Sequence, residues 1–282
     1  MRKGLNHSKQ GRRALLAALS IFAPTAARSA EVAAILASDS GPYAEACAAF
    51  RAELKHPADI YDASRPGFVP PDDVKFMAAF GARAVAAGHP SGTRGVYALA
   101  PLVMRGHGWH QISMVPAPEA AIASYKALQP GLRRLAVFWS AYPGEDYLLQ
   151  LRDAGARAGI EIISAKLKSP DSFPDRLRRL LGKMDAFWLM PDPALINTGS
   201  LMVLANFACA NSIPFYAPTP ALMHSGAAAS LAPDFAQSGA AAAAVIEALY
   251  RSEEVANVIF VERPQLKLNE ELIDKCRWPI KK

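Results

Sequence analysis

The stretch FWLMPDPALINTGSLMVLANFA, residues 187–208, contains the transition that decides the fold. Together with Ala186, its first residues form a continuous apolar run, which is typical of a strand covered on both faces of a parallel sheet. Pro191 and Pro193 end this strand, because proline cannot donate a hydrogen bond to a neighbouring strand. Apolar residues then recur at helical spacing. The pattern predicts a strand over 186–190, a short loop, and a helix.

Asp192 lies in that loop, at the carboxyl end of the predicted strand. Ligands of open α/β sheets bind at this edge, so Asp192 is a candidate ligand acceptor. In the alternative interpretation, the carboxylate only forms an Asx turn with the backbone amides that follow it. Asn197, Thr198 or Ser200 can cap the helix. One residue does not separate these interpretations, and the rest of the chain has to be considered.

Short strands alternate with helices on both sides of this stretch. Strands are predicted at 32–37, 60–63, 74–80, 95–100 and 111–115, and again at 135–139, 160–167, 186–190, 214–217 and 227–232. Such alternation predicts a parallel sheet in each half, and therefore an α/β fold of two Rossmann-like lobes. We expect an N-terminal lobe over 30–116 and a C-terminal lobe over 117–257. Residues 258–282 are expected to form a crossing strand and a helix that returns toward the N-terminal lobe.

The N-terminal segment, residues 1–29, has the composition of a secretory signal peptide. It contains six basic residues and no acidic one, then the apolar run Ala14–Phe22, then small residues. The apolar run is far shorter than the roughly 20 residues that a membrane-spanning helix needs. A pair of arginines precedes it, but ordinary secretion fits the loose flanking pattern better than twin-arginine export. Cleavage is expected after Ala27, Ser29 or Ala30, which predicts a periplasmic protein.

The charge balance argues against a nucleic-acid partner. The chain has 31 Lys and Arg against 25 Asp and Glu, and the six basic residues of the signal segment account for the whole excess. A chain without net charge has no overall attraction to nucleic acid or anionic lipid. Arg176, Arg178 and Arg179 lie together on a predicted helix and are interpreted as a solvated face. The mature chain is predicted to be a freely soluble monomer.

Three cysteines allow at most one disulfide and leave at least one thiol. Cys47 and Cys209 lie among alanines within predicted helices and are interpreted as small core side chains, while Cys276 lies near the C-terminus. His107 and His110 have a ligand-like spacing, but on an extended segment their side chains point to opposite faces. No metal site and no cofactor is expected.

Several segments resemble one protein family. They are VAAILASDSGPYAEACAAFRAEL (32–54), LRRLAVFWSAYPGEDYLLQLRDAGARAGIEI (132–162), LLGKMDAFWLMPDP (180–193), ANFACANSIPFYAPTPALMHSGAAAS (205–230) and LAPDFAQSGAAAAAVIEALY (231–250). The chain resembles the ABC-transporter substrate-binding proteins, in the family that includes binders of tryptophan and other aromatic amino acids. The resemblance implies a type I periplasmic binding fold, whose two lobes close on a small-molecule ligand. It also implies an inner-membrane ABC permease as a partner.

The sequence departs from the family pattern at two places. Only nine residues separate Ser64 from Val74, where family members usually carry a helix, so the N-terminal lobe is predicted to be trimmed. Thr219 stands where family members commonly have an acidic residue. A ligand with an ammonium group would therefore lose one partner.

If the strand ends of both lobes face one cleft, the ligand site can be predicted. The candidate residues are Ser38, Asp39, Tyr43, Gly81, Ala82, Arg83, Trp139, Ser140, Tyr142, Asp192, Thr219 and Asp234. The helix that begins after Gly81 would seat a carboxylate, with help from Arg83 unless that side chain is merely solvated.

Aromatic residues among these candidates would hold a flat ligand. Tyr43, Trp139 and Tyr142 could stack on it, although a core role for Trp139 is an equal alternative. Asp192 and Asp234 would accept hydrogen bonds from the ligand, but N-capping of the next helix is the preferred interpretation of Asp234. The expected ligand is a small carboxylate-bearing, aromatic or otherwise planar metabolite.

Two other functions remain open from the sequence. A cofactor-independent racemase would use one thiol from each lobe, but Cys47 and Cys209 lie within predicted helices rather than in strand-end loops. No nucleophile elbow or phosphate-binding loop is present in the sequence. Alternatively, the trimmed lobe could have lost ligand binding, which would leave a sensory or interaction protein. We expect a binding protein and not an enzyme.

Overall fold

The structure is a computed structural model that describes residue 1 and residues 30–101 and 106–281. Apart from Met1, the predicted signal peptide lies outside the described residues. Within the described ranges, no helix has both the length and the apolar character needed to cross a membrane.

Twelve strands and eight α-helices make up the described chain. In order, they are β1 (Val32–Leu36), α1 (Gly41–Glu53), β2 (Ala58–Asp62), β3 (Phe76–Phe80), α2 (Ala82–Ala86), β4 (Arg94–Ala98), β5 (Trp109–Ile112), α3 (Pro118–Leu128), β6 (Arg134–Trp139), α4 (Glu145–Arg157), β7 (Glu161–Lys166), α5 (Phe173–Leu180), β8 (Ala186–Leu189), α6 (Thr198–Ala210), β9 (Phe215–Ala217), β10 (Ala229–Ala232), α7 (Phe235–Tyr250), β11 (Val258–Ile259), β12 (Gln265–Leu268) and α8 (Glu270–Lys275). Short 3-10 turns lie at Pro170–Ser172 and Pro220–Ser225.

The strands form two six-stranded sheets, one in each lobe. The first sheet has the order β11-β5-β4-β3-β1-β2 and all its neighbours are parallel. The second has the order β12-β10-β9-β8-β6-β7, and only β12 runs antiparallel to its neighbour. This confirms the predicted two-lobed α/β fold. The chain crosses between the lobes three times, at residues 113–117, 233–234 and 260–264.

The first lobe buries its sheet between two unequal layers. Alternate residues of β1 point to opposite faces, with Ala34 in the core beneath α1 and α7 and Ile35 in the core on the other face. That other face is covered by the short α2 and by the loop from β2 to β3, through Phe68 and Val74. Residues 63–75, which form this loop, contain no helix. The first lobe is therefore trimmed, as the sequence predicts.

Helix α7 packs on the first sheet, which corrects the predicted lobe boundary at residue 257. Its buried face, including Ala242 and Ile246, belongs to the core of the first lobe. The two backbones approach closely, since a Cβ atom added at Gly239 would lie 1.9 Å from the carbonyl oxygen of Ala46 in α1. The sequence placed α7 with the preceding strands because chain order alone does not reveal the second crossing.

The C-terminal segment also differs from the prediction. β11 does return to the first sheet, but the chain then crosses back and forms β12 on the edge of the second sheet. Helix α8 follows, and Ile273 and Trp278 pack into the core of the second lobe. A disulfide between Cys209 and Cys276 fastens this segment to α6, so Cys209 packs against the core, as predicted, but as one half of a cross-link. Residues 265–281 thus belong to the second lobe.

Candidate ligand-binding site

A cavity of about 420 Å³ lies between the lobes and is lined by both of them. The residues that line it are Pro42, Tyr43, Glu45, Leu99, Met114, Thr219, Pro220, Ala221, Ala232, Pro233, Asp234, Phe235, Gln265 and Lys267. Its volume lies within the range of ordinary small-molecule pockets. Tyr43, Thr219 and Asp234 are the members of the predicted site that line this cavity.

The first turn of α1 forms the wall of the cavity on the first lobe. Pro42 occupies the start of the helix, where its missing amide hydrogen is not needed, and Tyr43 and Glu45 follow it. Tyr43 packs over Gly81: a Cβ atom added there would lie 2.5 Å from the Tyr43 ring. The space above Gly81 is therefore filled by this ring, and Gly81 does not offer its backbone to a ligand as predicted.

Leu99 follows β4 and lines the same wall. Its φ angle is +56°, in the left-handed region that normally suits glycine or asparagine. Such a backbone costs on the order of 1 to 3 kcal/mol for a bulky residue, and it persists where the surrounding structure holds it. The strand end thereby turns sharply and carries an apolar side chain at the cavity.

The second lobe contributes the loops after β9 and β10. Thr219 starts a 3-10 turn beside the cavity, and Asp234 caps α7 by accepting a hydrogen bond of 3.0 Å from the amide of Gln237. This confirms the preferred N-cap interpretation of Asp234. Its second carboxylate oxygen accepts a hydrogen bond from Nε2 of Gln265. Both oxygens of Asp234 are thus engaged before any ligand arrives.

Two charged side chains of opposite sign remain at the cavity. Glu45 belongs to the first lobe and Lys267 to β12 of the second. Within the described part of the chain, neither side chain forms an ion pair or a side-chain hydrogen bond. They are the charged groups of the cavity that a ligand could neutralise.

Asp192 has a structural position that contradicts its predicted role as a ligand acceptor. Its side chain is fully buried, and one carboxylate oxygen accepts the amides of Ser140, Ala141 and Tyr142 at 2.9, 2.7 and 3.1 Å. The other oxygen accepts the amide of Ala194 at 3.0 Å, which is the Asx turn of the alternative interpretation. Asp192 therefore joins the loops after β6 and β8 and has no oxygen left for a ligand.

Trp139 and Tyr142 are also structural and do not line the cavity. Trp139 is buried, its Nε1 donates to Oγ of Ser164 at 2.9 Å, and Nζ of Lys166 lies 4.5 Å from its ring centre. The hydroxyl of Tyr142 accepts the amide of Met114 at 2.9 Å, and burial raises the pKa of that hydroxyl. Tyr142 thus ties the second lobe to the first crossing segment behind the cavity.

The remaining predicted residues also lie outside the described lining of the cavity: Ser140 on the second lobe, where its amide donates to Asp192, and the others on the first lobe. Ser38 and Ser40 form a hydroxyl pair, with their oxygens 3.3 Å apart, while Asp39 lines a separate cavity of about 210 Å³ at the ends of β1 and β2. Ala82 and Arg83 are exposed on the five-residue α2. The predicted carboxylate seat at this helix is therefore not part of the interlobe cavity.

The structure also bears on the racemase alternative. Cys209 is held in the disulfide, and Cys47 is buried in the first lobe, where burial raises the pKa of its thiol against the opposing effect of the Arg51 charge. The two thiols that such an enzyme would need do not face each other. Among the described residues, no group of three or more His, Cys, Asp or Glu could hold a metal ion.

Much of the cavity lining was missed by sequence reasoning. Pro233 and Phe235 flank the predicted Asp234 and could have been included with it. Lys267 was missed because β12 carries a pattern too polar and too short to be recognised as a strand. Glu45 and Leu99 gave no local signal at all, since their position depends on how the lobes face each other.

Comparison with known proteins identifies the family. The sequence model described as "ABC transporter substrate binding protein" matches residues 114–276, which is more than half of the chain. None of the curated proteins matches this sequence significantly.

Solved structures share the architecture. One is the ligand-free, open form of a substrate-binding protein with adhesive properties from Clostridium difficile, with a TM-score of 0.61 and 13% identity over 88% of this chain and 94% of that one. A second is an ABC domain in complex with L-Trp from Streptococcus pneumoniae, with a TM-score of 0.57 and 14% identity over 90% and 95% of the two chains. A conserved domain protein from Vibrio cholerae has a TM-score of 0.55 and 16% identity over 89% and 95%. At these identities the likeness shows the fold, a two-lobed type I periplasmic binding fold. With the family match, it follows that this chain belongs to the family of ABC transporter substrate-binding proteins.

Proposed function

We propose that the protein is the periplasmic solute-binding component of an ABC-type uptake system, and that it binds a small ligand in the interlobe cavity. The observation that carries this proposal is the composition of the cavity wall. Pro42 and Tyr43 come from the first lobe and Thr219 from the second. Met114 lies in the first crossing segment and Asp234 in the second. A ligand held by all of these would be enclosed when the lobes approach, which is how a two-lobed protein couples binding to closure.

The ligand is a small carboxylate-bearing metabolite with an apolar, planar body. Tyr43 and Phe235 supply aromatic surface, and Leu99 and Met114 add apolar contacts. Lys267 replaces the predicted helix amides as the partner of the ligand's carboxylate, because it is the cation among the described residues that line the cavity. Glu45 takes the place of Asp192 as acceptor for an amine or amide of the ligand.

Export and transport complete the proposal. The signal-like residues 1–29 direct the chain to the periplasm, and the disulfide between Cys209 and Cys276 suits an oxidising compartment. The mature protein acts as a monomer that delivers its ligand to an inner-membrane permease. It needs no cofactor, catalyses no reaction and binds no nucleic acid, in keeping with its balanced charge.

A thermal-shift screen of amino acids, aromatic acids and related metabolites tests the proposal. A ligand that binds only the folded protein stabilises it by RT ln(1 + [L]/Kd), so a true ligand raises the melting temperature with increasing concentration. No stabilisation by any compound at millimolar concentration, for a well-folded protein, would favour the sensory or interaction function instead.

Two substitutions then test the site. Lys267→Ala should weaken binding about 10- to 100-fold by removing a charged hydrogen bond, while Lys275→Ala on the exposed face of α8 should not. Tyr43→Ala should weaken aromatic ligands more than aliphatic ones, and Tyr43→Phe, which keeps the ring, should preserve that preference. Affinity unchanged in both Lys267→Ala and Tyr43→Ala would place the ligand outside this cavity.

A further inference from the structure

A second concave surface lies on the second lobe, away from the ligand cavity. It encloses about 400 Å³ and is lined by Lys166, Lys168, Arg176 and Arg179, with the carboxylates of Asp171 and Asp175. We call these six residues the basic concavity. Four cations against two carboxylates make it locally positive, although the chain beyond residue 29 has balanced charge. A local excess of this kind is not explained by overall composition.

Three of these four cations have no partner among the described residues. Nζ of Lys166 lies 3.1 Å from a carboxylate oxygen of Glu145 and also rests over the ring of Trp139. In the part of the chain that the structure describes, Lys168, Arg176 and Arg179 form neither an ion pair nor a side-chain hydrogen bond. Lys166 is therefore held in place by its neighbours, while the other three cations of the basic concavity are available to bind an anionic partner.

The basic concavity lies beside the carboxyl end of β7, at the edge of the second sheet. It follows the carboxyl end of β7, and the carboxyl ends of the parallel strands β6 to β10 share the sheet edge that also carries the ligand cavity. β7 is the outermost strand, at the opposite edge of the sheet from β12. A partner bound here would contact the second lobe at the sheet edge where its parallel strands end.

We propose that the basic concavity docks an acidic polypeptide segment of a partner protein. Side-chain carboxylates can enter a concave site of this size and form bidentate contacts with Arg176 and Arg179. An anionic bilayer is the less favoured partner, because the balanced charge of the remaining chain gives a membrane surface little long-range attraction. This inference rests on the proposed function in one respect, namely that the partner protein carrying the acidic segment is the membrane permease.

Binding of a fluorescent hexaglutamate peptide, measured by anisotropy at low ionic strength, tests this assignment. The triple variant K168E/R176E/R179E should bind the peptide at least tenfold more weakly than the unaltered protein. The matched control R133E/R152E/K183E makes the same change in net charge on exposed residues of the same lobe, outside the concavity. It should change the affinity less than twofold. Equal melting temperatures would show that all three proteins are folded.

Several results would overturn the inference. An equal loss of affinity in both triple variants would mean that the peptide responds only to net charge. Binding to vesicles rich in phosphatidylglycerol that K168E/R176E/R179E abolishes, without binding of the peptide, would assign the surface to lipid. Binding of inorganic phosphate alone would reduce it to a site for small anions. The thermal-shift response to the amino acids and aromatic acids of the ligand screen should be the same in both triple variants, so failure of the proposed function would be seen separately.

Discussion

Replacement of Asp192 by alanine should lower the free energy of unfolding of the second lobe without weakening ligand binding. The substitution removes the acceptor of four backbone amides, and the side chain is fully buried. Each buried amide left without a partner costs about 1 to 3 kcal/mol. The amides of Ala141 and Ala194 lie at exposed residues and can bind water instead, which leaves the amides of Ser140 and Tyr142 as the orphaned ones. We expect the free energy of unfolding to fall by about 3 to 5 kcal/mol.

Asp192→Asn provides a graded comparison. Asparagine has the same shape but one oxygen instead of two, so its NH₂ group must face an amide that also donates. We expect a loss of about 2 kcal/mol, smaller than that of Asp192→Ala. Asp153→Ala, which removes an exposed carboxylate from α4, should change stability by less than about 0.5 kcal/mol.

Urea unfolding followed by tryptophan fluorescence is the appropriate assay. Three of the four tryptophans, Trp139, Trp188 and Trp278, lie in the core of the second lobe, so the signal reports mainly on that lobe. The midpoint should fall while the slope stays the same. The reasoning would be refuted if Asp192→Ala kept the midpoint of the unaltered protein but lost affinity for the ligand, since that result would return Asp192 to the ligand site.

Three further predictions concern helix packing, the disulfide and the pH dependence of stability. Gly239→Ala should destabilise the first lobe by about 1 to 3 kcal/mol or more, because the added methyl would meet the backbone of α1, and thermal unfolding would detect this. Alkylation of the unsubstituted protein under denaturing but non-reducing conditions should modify one cysteine per chain. The double variant C209S/C276S, which opens a loop of 67 residues, should lose up to about 4 kcal/mol of unfolding free energy, as measured by urea unfolding. Burial acts to raise the pKa of Asp185, but hydrogen bonds from Arg134 and two backbone amides lower it overall. The stabilisation is thus present above the ordinary Asp pKa and is lost as the pH falls through the lowered one. Asp185→Asn should cost about 1 to 2 kcal/mol at pH 7, and this difference should shrink as the pH falls through the lowered pKa of Asp185, which pH-dependent urea unfolding would measure.

The sequence by itself determined the class of fold and the positions of most elements. Apolar runs that end at proline or glycine, followed by helical spacing, are local properties of the chain, and the predicted strand over 186–190 appears as β8 at Ala186–Leu189. The N-cap role of Asp234 was predicted for the same reason, because a cap depends on the next few residues only. The trimmed connection between β2 and β3 followed from a count of residues.

Only the tertiary structure decided which residues face the cavity. Asp192 and Trp139 stand at strand ends, as predicted, but one turns inward to backbone amides and the other packs against the neighbouring strand β7. Helix α7 and strand β12 lie in other lobes than predicted, because the described chain crosses between the sheets three times. No local pattern shows on which sheet an element packs. Lys267 reaches the cavity through such a crossing. The orientation of a side chain at a strand end is set by neighbours that are distant in sequence, and this is why the fold was predictable and most of the site was not.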